Sequence, residues 1–125
     1  VEVTTVTLGA RDLLGLAQFY ARLLGLPVPS VEPEDDWVSI GGGEGWSLAI
    51  QLEPNQERAT WPAAAGEQHM QIHLEIRADD LLAAQEHALA CGATLASVQP
   101  QDDVRVMFDP EGHPFCLWVE EAPGN

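Results

Sequence analysis

Basic side chains are scarce in this chain of 125 residues, which has no lysine and only five arginines against 20 acidic residues. The resulting formal charge of −15 at pH 7 would repel a phosphate backbone, and nucleic acid is therefore excluded as a partner. The same charge fits either a solvated acidic surface or a site that attracts a cation. Charge alone does not choose between these two interpretations.

Cysteine is scarce as well, since the chain has only Cys91 and Cys116, too few for the disulfide framework of a small secreted domain. The first residues do not have the charged and then apolar pattern of a signal segment. We therefore expect a cytoplasmic protein. No apolar run approaches the ~20 residues that cross a bilayer, so no membrane partner is expected.

Motifs for nucleophilic hydrolysis and nucleotide binding are also missing. No Gly-x-Ser-x-Gly occurs, and the glycine-rich run at 41–45 lacks the lysine and the following helix of a phosphate loop. What remains is a chain with 46% hydrophobic residues, long enough to bury the core of one globular domain.

The first half of the chain reads as a β-α-β-β-β unit. Val3–Ala10 alternates like a half-buried strand, and Asp12 can cap a helix whose apolar residues recur at helical spacing until Gly25 and Pro27. Three extended segments follow the helix. They are Val28–Val31, which prolines interrupt, Trp37–Ile40 and Trp46–Leu52.

The second half repeats this order after a connecting loop at 54–70. An alternating strand at 72–77 leads to Asp80, a helix that ends at Gly92, and three strands. Those strands are Thr94–Val98, Val104–Phe108 and Phe115–Glu120, the last two joined by a turn that begins Asp109-Pro110-Glu111-Gly112. Thr5 precedes Asp12 by seven positions, and His73 precedes Asp80 by seven. This agreement indicates an internal duplication.

Two motifs carry a resemblance to a known family. The helix at 12–25, with its Phe-Tyr-x-x-Leu-Leu-Gly ending, and the Asp-Pro-Glu-Gly-His-Pro-Phe-Cys-Leu run at 109–117 resemble the vicinal oxygen chelate superfamily of glyoxalases, bleomycin-resistance proteins and extradiol dioxygenases. The resemblance implies an α+β fold in which two tandem βαβββ modules form an incomplete barrel around a central cleft. It implies a single domain with modules at about 1–53 and 71–121, and it makes a homodimer the expected assembly.

The resemblance also implies where a metal would bind. The superfamily's metal enzymes place His, Glu or Gln ligands on the first and last strand of each module, which correspond here to Thr5, Gln51, His73 and Cys116. Only His73 is a standard ligand, and Cys116 replaces the expected glutamate. We therefore expect no complete metal site and no cofactor. If a divalent metal binds, the residues available to it are His73, Gln51 and Cys116.

Strand alternation divides the side chains into two faces. We assign the aliphatic parity of each strand to the core and the other parity to the cleft. The predicted core is Val6, Leu8, Val38, Ile40, Leu48, Ile50, Ile72, Leu74, Ile76, Val104, Val106, Phe108, Phe115, Leu117 and Val119. The predicted cleft is Thr5, Thr7, Trp37, Ser39, Ala49, Gln51, His73, Glu75, Arg77, Arg105, Met107, Cys116, Trp118 and Glu120.

A face with tryptophans, a methionine and a few charged groups is typical of a small-molecule pocket. We predict a protein that binds a small molecule there. The predicted ligand contacts are His73, Gln51, Thr5, Cys116, Trp37, Trp118, Arg105, Glu75 and Met107.

Three alternatives stay open at this point. One is a metal-dependent lyase, isomerase or dioxygenase that uses His73 with Gln51 and Cys116. Another is a metal-free enzyme with His73 or Glu75 as general base beside Arg105. In the third, the arginines of this face only pair with glutamates across the sheet. The sequence names no substrate.

Overall fold

The structure is a computed structural model that describes residues 1–120, so the predicted end of the second module, at residue 121, lies outside the described residues. The chain divides into two compact units, Val1–Gln56 and a unit that begins at Glu57. Each unit contains one helix and one small open sheet. The α+β class predicted from the sequence is thereby confirmed.

The first unit has the order β-α-β-β. The elements are β1 (Thr5–Ala10), α1 (Leu13–Leu24), β2 (Trp37–Gly41) and β3 (Ser47–Leu52). Its sheet has the strand order β1-β3-β2, in which β1 runs parallel to β3 and β2 runs antiparallel to it.

Helix α1 begins and ends where the sequence predicts. The Asp12 carboxylate accepts a hydrogen bond from the Gly15 backbone N–H at 2.9 Å, and Gly25 ends the helix in the left-handed region with φ of 69°. The buried side of α1 is formed by Leu13, Leu16, Ala17, Phe19, Tyr20 and Ala21. This helix supplies much of the buried apolar surface of its unit.

The second unit has the order β-α-β-β-β, with strand order β4-β7-β6-β5. Its helix begins after the Asp80 cap and ends at Gly92. Here β4 runs parallel to β7, and the remaining pairs are antiparallel. The elements are β4 (Leu74–Arg77), α2 (Leu81–Cys91), β5 (Thr94–Leu95), β6 (Val104–Phe108) and β7 (Pro114–Trp118).

The predicted hairpin between β6 and β7 is confirmed. The buried carboxylate of Asp109 accepts hydrogen bonds from the backbone N–H groups of Glu111 at 2.9 Å and His113 at 3.0 Å. Gly112 has φ of 87°, a conformation that favours glycine. The side chain of Arg58 donates to the Pro110 carbonyl at 2.9 Å, so the turn is fastened to the segment that opens the second unit.

Val28–Val31 and Ile72 both differ from the sequence prediction. Val28–Val31 forms no strand, because Pro27 and Pro29 have no N–H to donate to a ladder. Ile72, assigned to the core, is 68% exposed, since β4 begins only at Leu74. Within residues 1–120, no helix combines the length and apolar character needed to span a membrane.

Candidate functional site

A histidine, a glutamate and a cysteine meet on one face of the second sheet. Glu75 of β4 lies directly opposite Cys116 of β7 in the parallel pair. His73 lies two residues before Glu75, just ahead of β4, and side chains two apart along an extended segment point to the same side. Strand pairing therefore brings these three predicted site residues together.

The carboxylate of Glu75 is the centre of this cluster. His73 Nε2 lies 2.7 Å from Glu75 Oε1, and the Cys116 thiol donates a hydrogen bond to the same carboxylate. The imidazole nitrogen donates here, because an ionised carboxylate can only accept. One potential ligand atom from each of the three side chains lies within 4.8 Å of the others. The side chains of His73 and Glu75 are 34% and 52% exposed, so solvent and ligands reach the cluster.

Partial burial keeps the cysteine protonated at neutral pH. Desolvation, and then the negative charge and hydrogen bond of Glu75, raise the pKa of the Cys116 thiol from 9.0 to about 11. In the metal-free protein, Cys116 is thus a hydrogen-bond donor and a poor nucleophile.

The cluster forms one side of a pocket of about 230 Å³. Most of the other side chains around this pocket are apolar, which is typical of a small-molecule site. They are Trp61, Met70, Pro100, Gln101, Val104, Val106 and Pro114. All of these residues belong to the second unit.

The face predicted for β6 is wrong. Val106 lies opposite Cys116, and Val104 lies opposite Trp118, so the two valines share the pocket face. Residues directly opposite in an antiparallel pair point to one side of the sheet. Arg105 and Met107 consequently lie on the other face, where Met107 is fully buried and Arg105 donates to the Val104 carbonyl at 2.9 Å.

Trp118 lies on the same sheet face as Glu75 and Cys116, two residues beyond Cys116. It lines a more open depression together with Glu75 and Gln101. Beside it, Arg77 donates to Glu120 at 3.0 Å. Cross-strand pairing of arginine with glutamate, one of the alternatives from the sequence, thus occurs at Arg77.

The other predicted site residues lie in the first unit. Thr5 pairs with Ser47, and their hydroxyl oxygens are 3.2 Å apart. Gln51 pairs with Gly9 and with Trp37, four positions further along the sheet from the Thr5 pair. Four residues of a strand span about 13 Å. The structure therefore does not bring Thr5 and Gln51 to one point.

The chemistry of the clustered donors fits a metal ion better than the set implied by the resemblance. An imidazole nitrogen, a carboxylate oxygen and a thiolate sulfur are the three kinds of protein ligand that zinc uses, and three protein ligands leave a fourth position open. The third potential ligand is Glu75, for which the resemblance implied no metal role, and not Gln51. These donors would hold an ion within one unit.

Sequence reasoning missed most of the pocket walls. Trp61 and Met70 come from the segment that was interpreted as a connecting loop, and Pro100 and Gln101 come from the loop before β6. The one available signal was Trp61, a large aromatic residue in a segment that otherwise has no periodic pattern. Loop residues have no periodicity from which a face can be assigned.

Comparison with known proteins agrees with this architecture. The sequence profile of the family described as "Glyoxalase-like domain" matches residues 5–118, nearly the whole described chain. The chain belongs to the glyoxalase-like domain family, as the resemblance to the vicinal oxygen chelate superfamily implied. No curated protein sequence matches the chain.

Solved structures with the same fold are numerous. A glyoxalase/bleomycin resistance protein/dioxygenase family enzyme from Burkholderia phytofirmans is 17% identical over 95% of this chain and 98% of its own, with a TM-score of 0.67. A glyoxalase-related enzyme from Fulvimarina pelagi is 18% identical over 95% and 88%, with a TM-score of 0.65. A lactoylglutathione lyase from Agrobacterium tumefaciens is 18% identical over 99% and 97%, with a TM-score of 0.62. At these identities the likeness shows the fold and not the activity.

Proposed function

We propose that this protein binds a small organic molecule in the pocket of its second unit, with Trp61, Val104 and Val106 as apolar walls. The observation that carries the proposal is that one pocket combines mostly apolar walls with a single polar cluster. This combination lets a ligand gain affinity from buried area and orientation from a few hydrogen bonds. The family includes bleomycin-resistance proteins, and this supports a role in binding without turnover.

The polar cluster favours a ligand that carries a donor or a positive charge. Glu75 offers its carboxylate at the pocket. Arg105, the arginine of β6, lies on the other face of the sheet. The formal charge of −15 raises the local concentration of cations around the protein. A volume of about 230 Å³ suits a compact molecule, such as a small aromatic amine.

Tryptophan fluorescence tests this proposal directly. Benzylamine, with benzyl alcohol as the uncharged control of similar shape, should change the emission of Trp61 on binding, and the amine should bind more tightly. Trp61→Phe should remove the response. Trp46→Phe should leave it intact, because Trp46 lies in the turn before β3 and does not line the pocket. A response that survives Trp61→Phe, or none to any small amine, would contradict the proposal.

A metal-dependent lyase, isomerase or dioxygenase is the second candidate, and the donor cluster favours it. An ion held by His73, Glu75 and Cys116 would supply a Lewis acid for a bound oxygen. The apolar pocket walls would orient the substrate beside that ion. Turnover that requires a stoichiometric ion and is lost in His73→Ala would support an enzyme; turnover unaffected by a chelator would contradict it.

The assembly and cellular location remain predictions. Membership of the family supports a homodimer, and helix α2 exposes Leu82 and Leu89, apolar side chains that a second copy can cover. Light scattering should give the mass of two chains, and Leu82→Glu should shift the mass toward one. The two cysteines, both free, support a reducing cytoplasm.

A further inference from the structure

Three chemically different donors are assembled at one point of the second sheet. The register of β4 with β7 fixes Glu75 beside Cys116, and His73 contacts Glu75 at 2.7 Å. Among residues 1–120, this is the one group of three or more His, Cys, Asp or Glu side chains whose ligand atoms come so close together. The spacing of Glu75 and Cys116 is set by the backbone of two paired strands, and His73, just ahead of β4, is tied to the pair through its contact with Glu75.

We propose that His73, Glu75 and Cys116 form a binding site for one divalent ion of the zinc class, with nitrogen, oxygen and sulfur as its three protein ligands. Ligands of one tetrahedral zinc lie about 3–4 Å from each other. The donor atoms, within 4.8 Å of one another, need only small side-chain rotations to reach that spacing. The half-exposed side chain of Glu75 has the freedom to make them.

The donor set selects the ion. Magnesium and calcium require oxygen ligands throughout, so one imidazole and one thiolate exclude them. Zinc, cobalt and cadmium accept this mixture of nitrogen, oxygen and sulfur ligands. Three protein ligands leave a fourth position open, and the same three residues line the pocket. The inference goes beyond small-molecule binding and does not rest on it, since the ion requires only the cluster.

Binding exchanges a proton for the ion. The S–H bond of Cys116 breaks, the metal–sulfur bond forms, and the proton leaves to solvent. If Nε2 of His73 is the ligand atom, its hydrogen is lost to water while Nδ1 gains one, so the imidazole stays neutral. The thiolate and the Glu75 carboxylate together balance the two positive charges of the ion. One proton is therefore released for each ion bound.

Cobalt provides the readout, because thiolate coordination gives Co²⁺ a charge-transfer absorption that oxygen and nitrogen ligands alone do not give. Titration of the full chain with Co²⁺ should produce this band with an end point of one ion per chain. Added Zn²⁺ should remove the band. Calorimetry of Zn²⁺ binding in two buffers of different ionisation enthalpy should report release of one proton.

The second cysteine supplies a matched control. Cys91 Sγ lies 3.9 Å from His87 Nε2 on helix α2, so it forms a cysteine–histidine pair without a third ligand. Cys116→Ala should abolish the band, and Cys91→Ala should leave it unchanged. Glu75→Gln, which keeps the shape of the side chain, should weaken zinc binding by at least about tenfold, a loss common for weaker outer-shell partners. Circular dichroism should show that each variant is folded.

Three results would overturn the inference. They are the absence of the band at stoichiometric cobalt, its survival in Cys116→Ala, and its loss in Cys91→Ala. Zinc affinity that is unchanged in Glu75→Gln would exclude the carboxylate as a ligand and thereby contradict the three-donor site. Each of these results can occur whether or not Trp61 responds to an amine, so failure of the metal site and failure of the small-molecule proposal are distinguishable.

Discussion

The two units share a helix and a parallel strand pair with an antiparallel neighbour, and they differ in the side chains that these strands present. Counting five residues back from the N-cap of each helix gives Thr7 in β1 and Glu75 in β4. Their partners across the parallel strand pair are Ala49 and Cys116 respectively. The row that carries a carboxylate and a thiol in the second unit therefore carries a hydroxyl and a methyl group in the first.

The same correspondence holds two residues earlier, where Thr5 stands in the place of His73. The first unit thus has the strand pairing of the site without its donors. Both units have the strand pairing that could position ligands, while the chemistry depends on three side chains that only the second unit carries. Gln51 lies two residues beyond Ala49 on the same face. It is therefore displaced from the position in the first unit that corresponds to Cys116.

The two helices differ in how many of their residues are buried, and here the first unit has more. Helix α1 buries six residues, whereas α2 buries Ala88 alone among its eleven. Burial of apolar side chains is the main source of helix stability in a folded protein. Helix α1 therefore forms part of the core of the first unit. In the second unit, which carries the donor cluster, helix α2 is largely exposed.

Leucine truncation should reveal the largest difference between the two helices. Leu16→Ala in α1 removes a side chain that is 1% exposed and should cost about 2–5 kcal/mol of unfolding free energy. Leu82→Ala in α2 removes one that is 63% exposed in the single chain and, at a protein concentration that keeps the chains apart, should change stability by no more than about 0.5 kcal/mol. Urea unfolding of both variants measures the difference. Equal losses would show that α2 is packed as tightly as α1.

A substitution in the turn of the β6–β7 hairpin should give the second-largest loss of stability. A Cβ atom at Gly112 would lie 2.8 Å from the Cα of Arg58, and φ there is 87°. Gly112→Ala should therefore destabilise the protein by about 1–3 kcal/mol, because the contact with Arg58 adds to the backbone strain. Gly66→Ala is the matched control, because Gly66 also has positive φ but no atom within 4 Å of the added Cβ. If both variants lose the same stability, the contact with Arg58 contributes nothing.

Local signals made the repeated plan predictable. Each helix is bounded by an aspartate and a glycine, and the hairpin turn contains Asp109 and Gly112. A few neighbouring residues therefore specify each of these features. The face of β6 was not predictable in this way. Val104, Val106 and Met107 put apolar side chains on both faces, and alternation then carries no information. Only the cross-strand register places the two valines at the pocket.

The pocket walls and the donor set depended on contacts distant in sequence. Trp61 and Met70 reach the pocket from a segment without periodicity. Glu75 and Cys116 are 41 positions apart in the sequence and meet only because β4 pairs with β7 in a particular register. A shift of one residue in that pairing would move every side chain to the other face. Such registers are a tertiary property, which single-sequence patterns do not specify.

Cys116 should show a high apparent pKa when it is the sole thiol. In Cys91→Ala protein, alkylation should keep rising with pH toward 11, because the pKa of Cys116 is raised to about 11 by burial and by Glu75. At pH 8 the rate should be about tenfold below that of an ordinary thiol, since higher nucleophilicity offsets part of the lost thiolate. A rate that levels off near pH 9 would contradict the buried, carboxylate-bonded thiol.

The same shift predicts the pH dependence of stability. The folded-state pKa lies above the ordinary value of 9.0, so the folded protein holds this proton more tightly than the unfolded chain. The stability linked to Cys116 is therefore fully present below pH 9 and is lost as pH rises toward 11. Glu75→Gln should lower the pKa of Cys116 and reduce this loss. Urea midpoints at pH 8 and pH 10.5, compared between the two proteins, measure it.

The helix caps should give the smallest difference, because here the two units are alike. The carboxylates of Asp12 and Asp80 accept from backbone N–H groups at 2.9 Å and 3.0 Å. Each Asp→Ala substitution should cost about 1 kcal/mol. Equal losses by urea unfolding would show that the repeat extends to energetics. A much smaller loss for Asp80→Ala would mean that α2, with one buried residue, can fray at its first turn without affecting the rest of its unit.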